Sequence, residues 1–225
     1  MSVSAAIFDM DGLLLDTERV CMSIFQQTCE AQGYPFLEPV YLSIIGCNAG
    51  GIERLLRQGY GPQLDYPKLR QAWRQRYHAR VAESAIPIKP GVQALLTWLR
   101  QQGAPLAVAT SSDRELAEVK LRLSGLAPLF DSVTTGCEVV HGKPHPEIYQ
   151  LAARRLGVDP RHCLAFEDSN NGSRAAVAAG MITYQIPDLV QPDETTRALG
   201  HRVLPNLFAV LEELQQANGR VPLPA

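Results

Sequence analysis

The sequence predicts an α/β protein, a doubly wound and mostly parallel sheet with an inserted block of helices. Three observations carry that expectation. From about residue 90 onward, short apolar runs alternate with helix-period segments, the pattern of strands joined by crossover helices. Between the first apolar run and residue 88 the pattern is helical, with no convincing strand. Polar and acidic residues follow directly after several of the apolar runs, and in such sheets those positions converge on one rim. The expected division is a core of residues 1–15 and 89–225 and a helical cap of residues 16–88.

The first strand is Ala5-Ala6-Ile7-Phe8, brief and continuously apolar, as a strand buried on both faces requires. Val20, Ile24, Phe25 and Thr28 then fall on one face of a helix that closes near Gly33. Helices are expected at about 38–45 and 51–58, the second bounded by Gly59, Gly61 and Pro62. A fourth carries Leu69, Trp73, Tyr77 and Val81 at successive i+4 positions. Its other faces hold Lys68, Arg70, Arg74, Arg76 and Arg80. These read as a solvated basic face, the alternative being a supply of positive potential to an anionic substrate.

Pro87-Ile88-Lys89-Pro90-Gly91 marks a hinge back to the core. Val92, Leu95, Leu96 and Leu99 define a helix that stops at Gly103, and a buried strand follows at 106–109. Ser112-x-x-Glu115 reads as a capping box that opens a helix with Leu116, Val119 and Leu123. A short strand at 132–134 precedes a helix that starts at Pro146 and ends at Gly157. A strand at 163–166, a helix at 169–179, strands at 182–186 and 202–204, and a helix at about 206–216 complete the core. The tail 219–225 is expected to fray.

Composition bounds the function. The 225 residues are 46% hydrophobic and 20% charged, enough for a real core. A net charge of −2 and a pI near 6.2 give no sign of a nucleic-acid or anionic-membrane partner. The opening Met1-Ser2-Val3-Ser4 has neither a basic n-region nor an apolar h-region. The five cysteines (Cys21, Cys29, Cys47, Cys137, Cys163) are odd in number and scattered. They fit reduced thiols and a cytoplasmic setting better than a disulfide framework or a zinc site. A monomer is expected, with a weak homodimer as the alternative.

The first strand runs into Asp9-Met10-Asp11-Gly12. Two carboxylates this close repel, and each shifts toward its neutral form unless a cation lies between them. A hard divalent ion, Mg²⁺ above all, satisfies that need; an acidic surface turn is the alternative. After strand 106–109 come Thr110-Ser111-Ser112, hydroxyls and amides at a helix N-terminus that can hold an anion. Ser112 is read chiefly as the helix cap, which leaves Thr110 as the better ligand candidate. Lys143, in Gly142-Lys143-Pro144, is either a solvated loop lysine or a point charge for a phosphate or carboxylate. After strand 163–166, Glu167 and Asp168 enter a helix; the helix dipole explains one acid, and two fit better as further ligands to the cation.

In this order and on these elements the four stretches resemble the haloacid-dehalogenase-like superfamily of phosphotransferases, in the branch with a helical cap after the first motif. The motifs are Phe8-Asp9-Met10-Asp11-Gly12, Ala109-Thr110-Ser111-Ser112, Gly142-Lys143-Pro144 and Phe166-Glu167-Asp168. Within it the chain is most similar to the beta-phosphoglucomutase-like group, and Asp16-Thr17-Glu18-Arg19 and Ala179-Gly180-Met181 resemble its pseudouridine-5′-phosphatase-like members. The resemblance implies a phosphatase for a sugar phosphate or nucleoside monophosphate. Asp9 would be the nucleophile that forms an aspartyl-phosphate, and Asp11 the general acid and base. Mg²⁺ would lie on Asp9, Asp168, Glu167 and the Asp11 main-chain carbonyl, and Thr110, the Ser111 amide and Lys143 on the phosphoryl oxygens.

The departures narrow the reading. Haloacid dehalogenation needs neither Asp11 nor a metal, and phosphonate hydrolysis uses a cap lysine in a motif that Lys68 lacks. Mutase members of the resembled group keep a His where this sequence has Cys21. They also place a cation on the cap loop, which here reads Ile45-Gly46-Cys47-Asn48-Ala49-Gly50-Gly51, a glycine-rich and so flexible lid. Arg54, just beyond, is the remaining source of such a charge. A beta-phosphoglucomutase-type mutase stands as the alternative, and a non-catalytic binding protein on the same fold is the third reading. Glu18 and Asn48 are the candidate substrate contacts.

Overall fold

A computed structural model describes residues 4–47 and 49–217. The expectations for Met1, Ser2 and Val3, for Asn48 and for the tail 219–225 fall outside the described residues. Six parallel strands, β1 (Ala5–Phe8), β2 (Leu106–Thr110), β3 (Ser132–Thr135), β4 (Cys163–Glu167), β5 (Ile182–Gln185) and β6 (Arg202–Val203), form one sheet in the order β3-β2-β1-β4-β5-β6. The first strand is therefore central. The chain leaves it toward β2 on one side and returns to β4 on the other, which puts a topological switch point at the end of β1.

Helices cover both faces, as an all-parallel sheet demands. Alternation along β1 divides its side chains: Ala6 and Phe8 join one apolar cluster, Ala5 and Ile7 the other. Phe8 stacks on Phe166 of β4 at 4.6 Å, and Phe166 on Tyr184 of β5 at 5.5 Å. Each such buried ring contributes roughly 1.5–3 kcal/mol of apolar transfer energy.

Helices α1 (Thr17–Ala31), α2 (Glu38–Ile44), α3 (Ala49–Tyr60) and α4 (Tyr66–Glu83) carry a third cluster of their own, built on Phe25, Tyr41, Leu56 and Leu69. The chain enters and leaves this block through adjacent backbones. Leu15 bridges Ile88, the Asp16 amide donates to the Pro87 carbonyl at 2.8 Å, and the Lys89 amide donates to the Leu14 carbonyl at 3.0 Å. Along α4 the expected face is met: Leu69 and Val81 are buried and Trp73 and Tyr77 half-buried. Tyr77 and Val81 reach across to the core's own cluster.

Three local expectations are corrected. Helix α3 starts at Ala49 and runs through Gly59 to Tyr60, so Gly50 and Gly51 are helical and not part of a glycine-rich lid. Of the glycines in that stretch, Gly46 is the one with positive φ, at 76°. Gly59 is internal to α3 because Val40 packs against it; an added Cβ would lie 2.5 Å from the Val40 side chain. Helix α6 (Arg114–Leu123) buries Ala117, Lys120 and Leu121, while Leu116, Val119 and Leu123 are only half-buried. The remaining helices of the core are α5 (Val92–Gln101), α7 (Glu147–Leu156), α8 (Asn170–Ala178), the four-residue α9 (Glu194–Arg197) that the sequence reading missed, and α10 (Leu207–Gln216). Among the described residues no helix is long and apolar enough to cross a membrane.

Candidate active site

Strand register builds the site. Phe8 is level with Phe166 of β4 and with Val108 of β2, so the residues that follow each of them emerge side by side at the carboxyl rim. Asp9 and Glu167 thus meet, and Thr110 ends β2 one position beyond. Gly12 turns the chain at φ 86°, and an added Cβ there would lie 2.3 Å from the Asp168 carboxylate. Only glycine lets the first turn close against that acid.

Lys143 reaches in from the loop before α7. Its ammonium donates to Asp9 Oδ1 and to Glu167 Oε1, both at 2.5 Å, and to the Ala109 carbonyl at 3.0 Å. The solvated-lysine alternative is excluded, since its side chain is only 6% exposed. Glu167, fully buried, also accepts from the Tyr149 hydroxyl at 2.7 Å and from the Ser169 amide and hydroxyl at 3.2 and 3.0 Å. Those four donors occupy both carboxylate oxygens twice over. Helix α8 comes close enough to Glu167 that a Cβ on Gly172 would overlap the carboxylate, at 1.8 Å from Oε1.

Carboxylate oxygens of Asp9, Glu167 and Asp168 lie within 4.8 Å of one another. One lysine cannot neutralise three acids in a buried place. Burial, partly offset by Lys143 and reinforced by Glu167 and Asp11, pushes Asp9 up to about 8. Burial, then Glu167 and Asp9, lifts Asp168 well above the usual carboxylate range, and no described residue donates a hydrogen bond to its side chain. This all-oxygen set of crowded acids fits a hard divalent cation, with Asp9 and Asp168 the carboxylates that have room for it.

The Asp11 side chain turns the other way and is not part of that cluster. Its Oδ1 accepts from the Lys120 ammonium at 2.7 Å, and its Oδ2 from the Ser112 hydroxyl at 2.7 Å and the Thr110 hydroxyl at 3.2 Å. Burial alone would raise its pKa; Lys120 and these hydroxyls outweigh it and hold Asp11 below the usual value. Both hydroxyls therefore serve Asp11, and the expected capping role of Ser112 is corrected. Ser112 does not cap α6, whose N-cap is Asp113, but holds Asp11; Thr110 accepts from the Ser112 amide at 3.1 Å and so makes the local turn as well. The capping-box reading failed because Asp11, 101 residues away, competes for the same hydroxyl. Ser111 is exposed, and its backbone packs on Gly136, where a Cβ would lie 2.5 Å from the Ser111 carbonyl oxygen.

Lys120 was missed. In the sequence it is one charge among the polar positions of a helix; in the fold it is 2% exposed. A cavity of about 200 Å³ opens from Asp168 toward the helical block and is lined by Glu18, Gly46, Cys47, Asn171, Arg174 and Asp188, among others. Glu18 is pushed up to about 7 by burial first and then by Asp11 and Asp188. The Asn171 amide donates to the Gly46 carbonyl at 3.0 Å and joins the two walls. Arg54 is exposed and does not line this cavity. Burial raises the Cys21 thiol to about 11.

The pattern of the haloacid dehalogenase-like hydrolases matches residues 3–180. The chain belongs to this family. It is 36% identical over 194 residues to a Drosophila melanogaster protein named "Probable pseudouridine-5'-phosphatase", covering 83% of this chain and 82% of that protein. With the phosphorylated carbohydrates phosphatase of Thermotoga maritima it shares 34% identity over 183 residues, 80% of this chain and 82% of the relative. The solved structure of a haloacid dehalogenase-like hydrolase from Deinococcus radiodurans R1, with bound phosphate and sodium, superposes at a TM-score of 0.82 and 27% identity. The match covers 100% of this chain and 99% of that one.

Proposed function

We propose that this family member is a Mg²⁺-dependent phosphatase of small phosphorylated metabolites, sugar phosphates or nucleoside monophosphates, acting through an aspartyl-phosphate on Asp9. One observation carries the reading: two aspartates two residues apart are held in opposite electrostatic environments, one among crowded acids and one among donors. Asp9 becomes an ionised nucleophile once a cation joins its cluster, and Asp11, held apart from that cluster by its own donors, is placed to take a proton from water. Asp9 and Asp168, with the Asp11 main-chain carbonyl, are the groups that would hold Mg²⁺, and Glu167 orients Lys143 beside them. Bound there, the ion supplies neutralisation of the phosphoryl oxygens.

The chain's own residues do the rest. Asp9 attacks phosphorus, and its bond to the phosphoryl group forms as the ester oxygen leaves. Asp11, ionised beside Lys120 in the free site, gives that oxygen the proton it picks up when the substrate dianion enters, then takes one from the water that hydrolyses the aspartyl-phosphate. Lys143 and the amides around Ser111 bind the equatorial oxygens. Thr110 keeps Asp11 aimed. Residues 16–88, with helices α1–α4, act as a cap that closes the cavity over the leaving group, with Glu18 facing its hydroxyls.

Phosphatase and not mutase action is favoured by two features. Cys21, protonated at neutral pH with its thiol at about 11, is no substitute for a histidine proton carrier. Arg54 stands outside the cavity, so no cation of the cap loop grips a second phosphate. The five cysteines are all free, which fits a cytoplasmic setting. The test is turnover of a panel of sugar phosphates and nucleoside monophosphates with Mg²⁺, together with beta-glucose 1-phosphate and a trace of its 1,6-bisphosphate. Release of inorganic phosphate supports the proposal; isomerisation to glucose 6-phosphate with little free phosphate contradicts it.

A further inference from the structure

We propose that Lys120 is a positioning residue for Asp11: it holds the carboxylate away from the metal cluster and aimed at the leaving group, under a seal that the helical cap provides through Tyr77. The inference rests on the assignment of Asp11 as acid and base.

Three observations point to it. Lys120 lies in α6 and not in a binding loop, yet its ammonium is buried and spends its hydrogen bonds on Asp11 Oδ1 at 2.7 Å and on Ser112 Oγ at 3.2 Å. Ser112 Oγ in turn donates to Asp11 Oδ2, so ammonium, hydroxyl and carboxylate close a three-membered ring that fixes the carboxylate plane. A single ion pair would leave that plane free to rotate. Finally, the ammonium sits 5.4 Å from the centroid of the Tyr77 ring, which belongs to α4 of the cap.

The arrangement answers a problem that the first motif creates. Asp11 is two residues from Asp9 and at the edge of an acid-rich pocket whose bound cation would attract any nearby carboxylate. A carboxylate drawn onto the metal could neither give nor take a proton. Lys120 supplies a competing charge on the opposite side and keeps Asp11 on its own task. Because Tyr77 completes the cover of Lys120, withdrawal of the cap exposes the ammonium to water and weakens its hold on Asp11. Proton transfer is thereby tied to the closed cavity.

The experiment is a double-mutant cycle of Lys120→Met with Asp11→Asn, in full-length protein with Mg²⁺, read as kcat and KM for one phosphate monoester that the panel identifies. Lys120→Met alone is expected to lower kcat roughly 10- to 100-fold with KM within about twofold, the pattern of a lost transition-state contribution. In the Asp11→Asn background the same substitution should cost less than about twofold, since the group it positions is gone. Equal losses in both backgrounds overturn the proposal and leave the role of Asp11 standing. Near-normal turnover of Asp11→Asn overturns the role of Asp11 and this proposal with it. Thermal unfolding checks that each variant folds; if Lys120→Met does not, Lys120→Gln, which keeps a donor without the charge, takes its place with the same expected outcomes.

Discussion

Two buried lysines divide the candidate active site into halves that invite comparison. Lys143 stands among Asp9, Glu167 and Asp168, three acids to one base, and Asp9 and Asp168 are pushed up. Lys120 stands with Asp11 and two hydroxyls, one acid to one base, and that acid is pulled down. Both aspartates belong to one turn; Asp9 is buried and Asp11 half-buried. Burial is the largest influence on each, and it acts in the same direction; the balance of neighbouring charges decides the outcome. The difference teaches that the Lys143 half is incomplete without further positive charge, whereas the Lys120 half is self-sufficient.

Chelation breaks the comparison at its weakest point. EDTA should abolish phosphatase turnover and added Mg²⁺ restore it, because the Lys143 half carries more acid than its one base can offset; full activity in chelator would contradict the account. The crowding of that half is tested next by Gly172→Ala. With 1.8 Å between the added Cβ and Glu167 Oε1, either α8 or the carboxylate must shift. A stability loss of about 1–3 kcal/mol in urea unfolding, with a fall in activity, is the expected result.

A third prediction uses pH. In chelated protein Asp9 lies near 8 against an ordinary 3.8, a raised folded-state value. Its contribution to stability is therefore fully present below about 3.8 and is lost as pH rises toward 8, because the unfolded chain releases a proton that the folded chain keeps. Mg²⁺ and that proton compete for the same carboxylate. The rise in unfolding temperature that Mg²⁺ gives should accordingly grow as pH increases across this window; a rise independent of pH would locate the ion elsewhere. The smallest effect is expected from Cys21→Ala. A thiol near 11 does no proton transfer at neutral pH, so kcat should stay within about threefold.

Much of the site was legible in the sequence because strand ends are. An apolar run that stops at Asp9, Thr110 or Glu167 announces which residues reach the rim, and parallel register then sets them side by side. The helical block was legible for the same kind of reason, since Leu69, Trp73, Tyr77 and Val81 keep a helical interval over the length of α4. What escaped were side chains whose meaning depends on a distant partner. Nothing in the local pattern of α6 distinguishes Lys120 from a solvated lysine, because its partner lies 109 residues earlier. Ser112 matched a capping pattern and was claimed by Asp11 instead. Gly50 and Gly51 looked like a loop, since glycine propensity is weak evidence against the first turn of a helix whose other positions are well suited.

The division of labour between the two aspartates is tested most directly by trapping the covalent intermediate. Asp11→Asn protein is mixed with Mg²⁺ and an aryl phosphate whose leaving group departs without a proton, quenched in acid, digested and weighed. The account predicts one added phosphoryl group on Asp9, accumulating because the base for hydrolysis is missing, and no adduct when Asp9→Asn is treated in the same way. A phosphoryl group on any other residue, or an adduct that persists in Asp9→Asn, would contradict it.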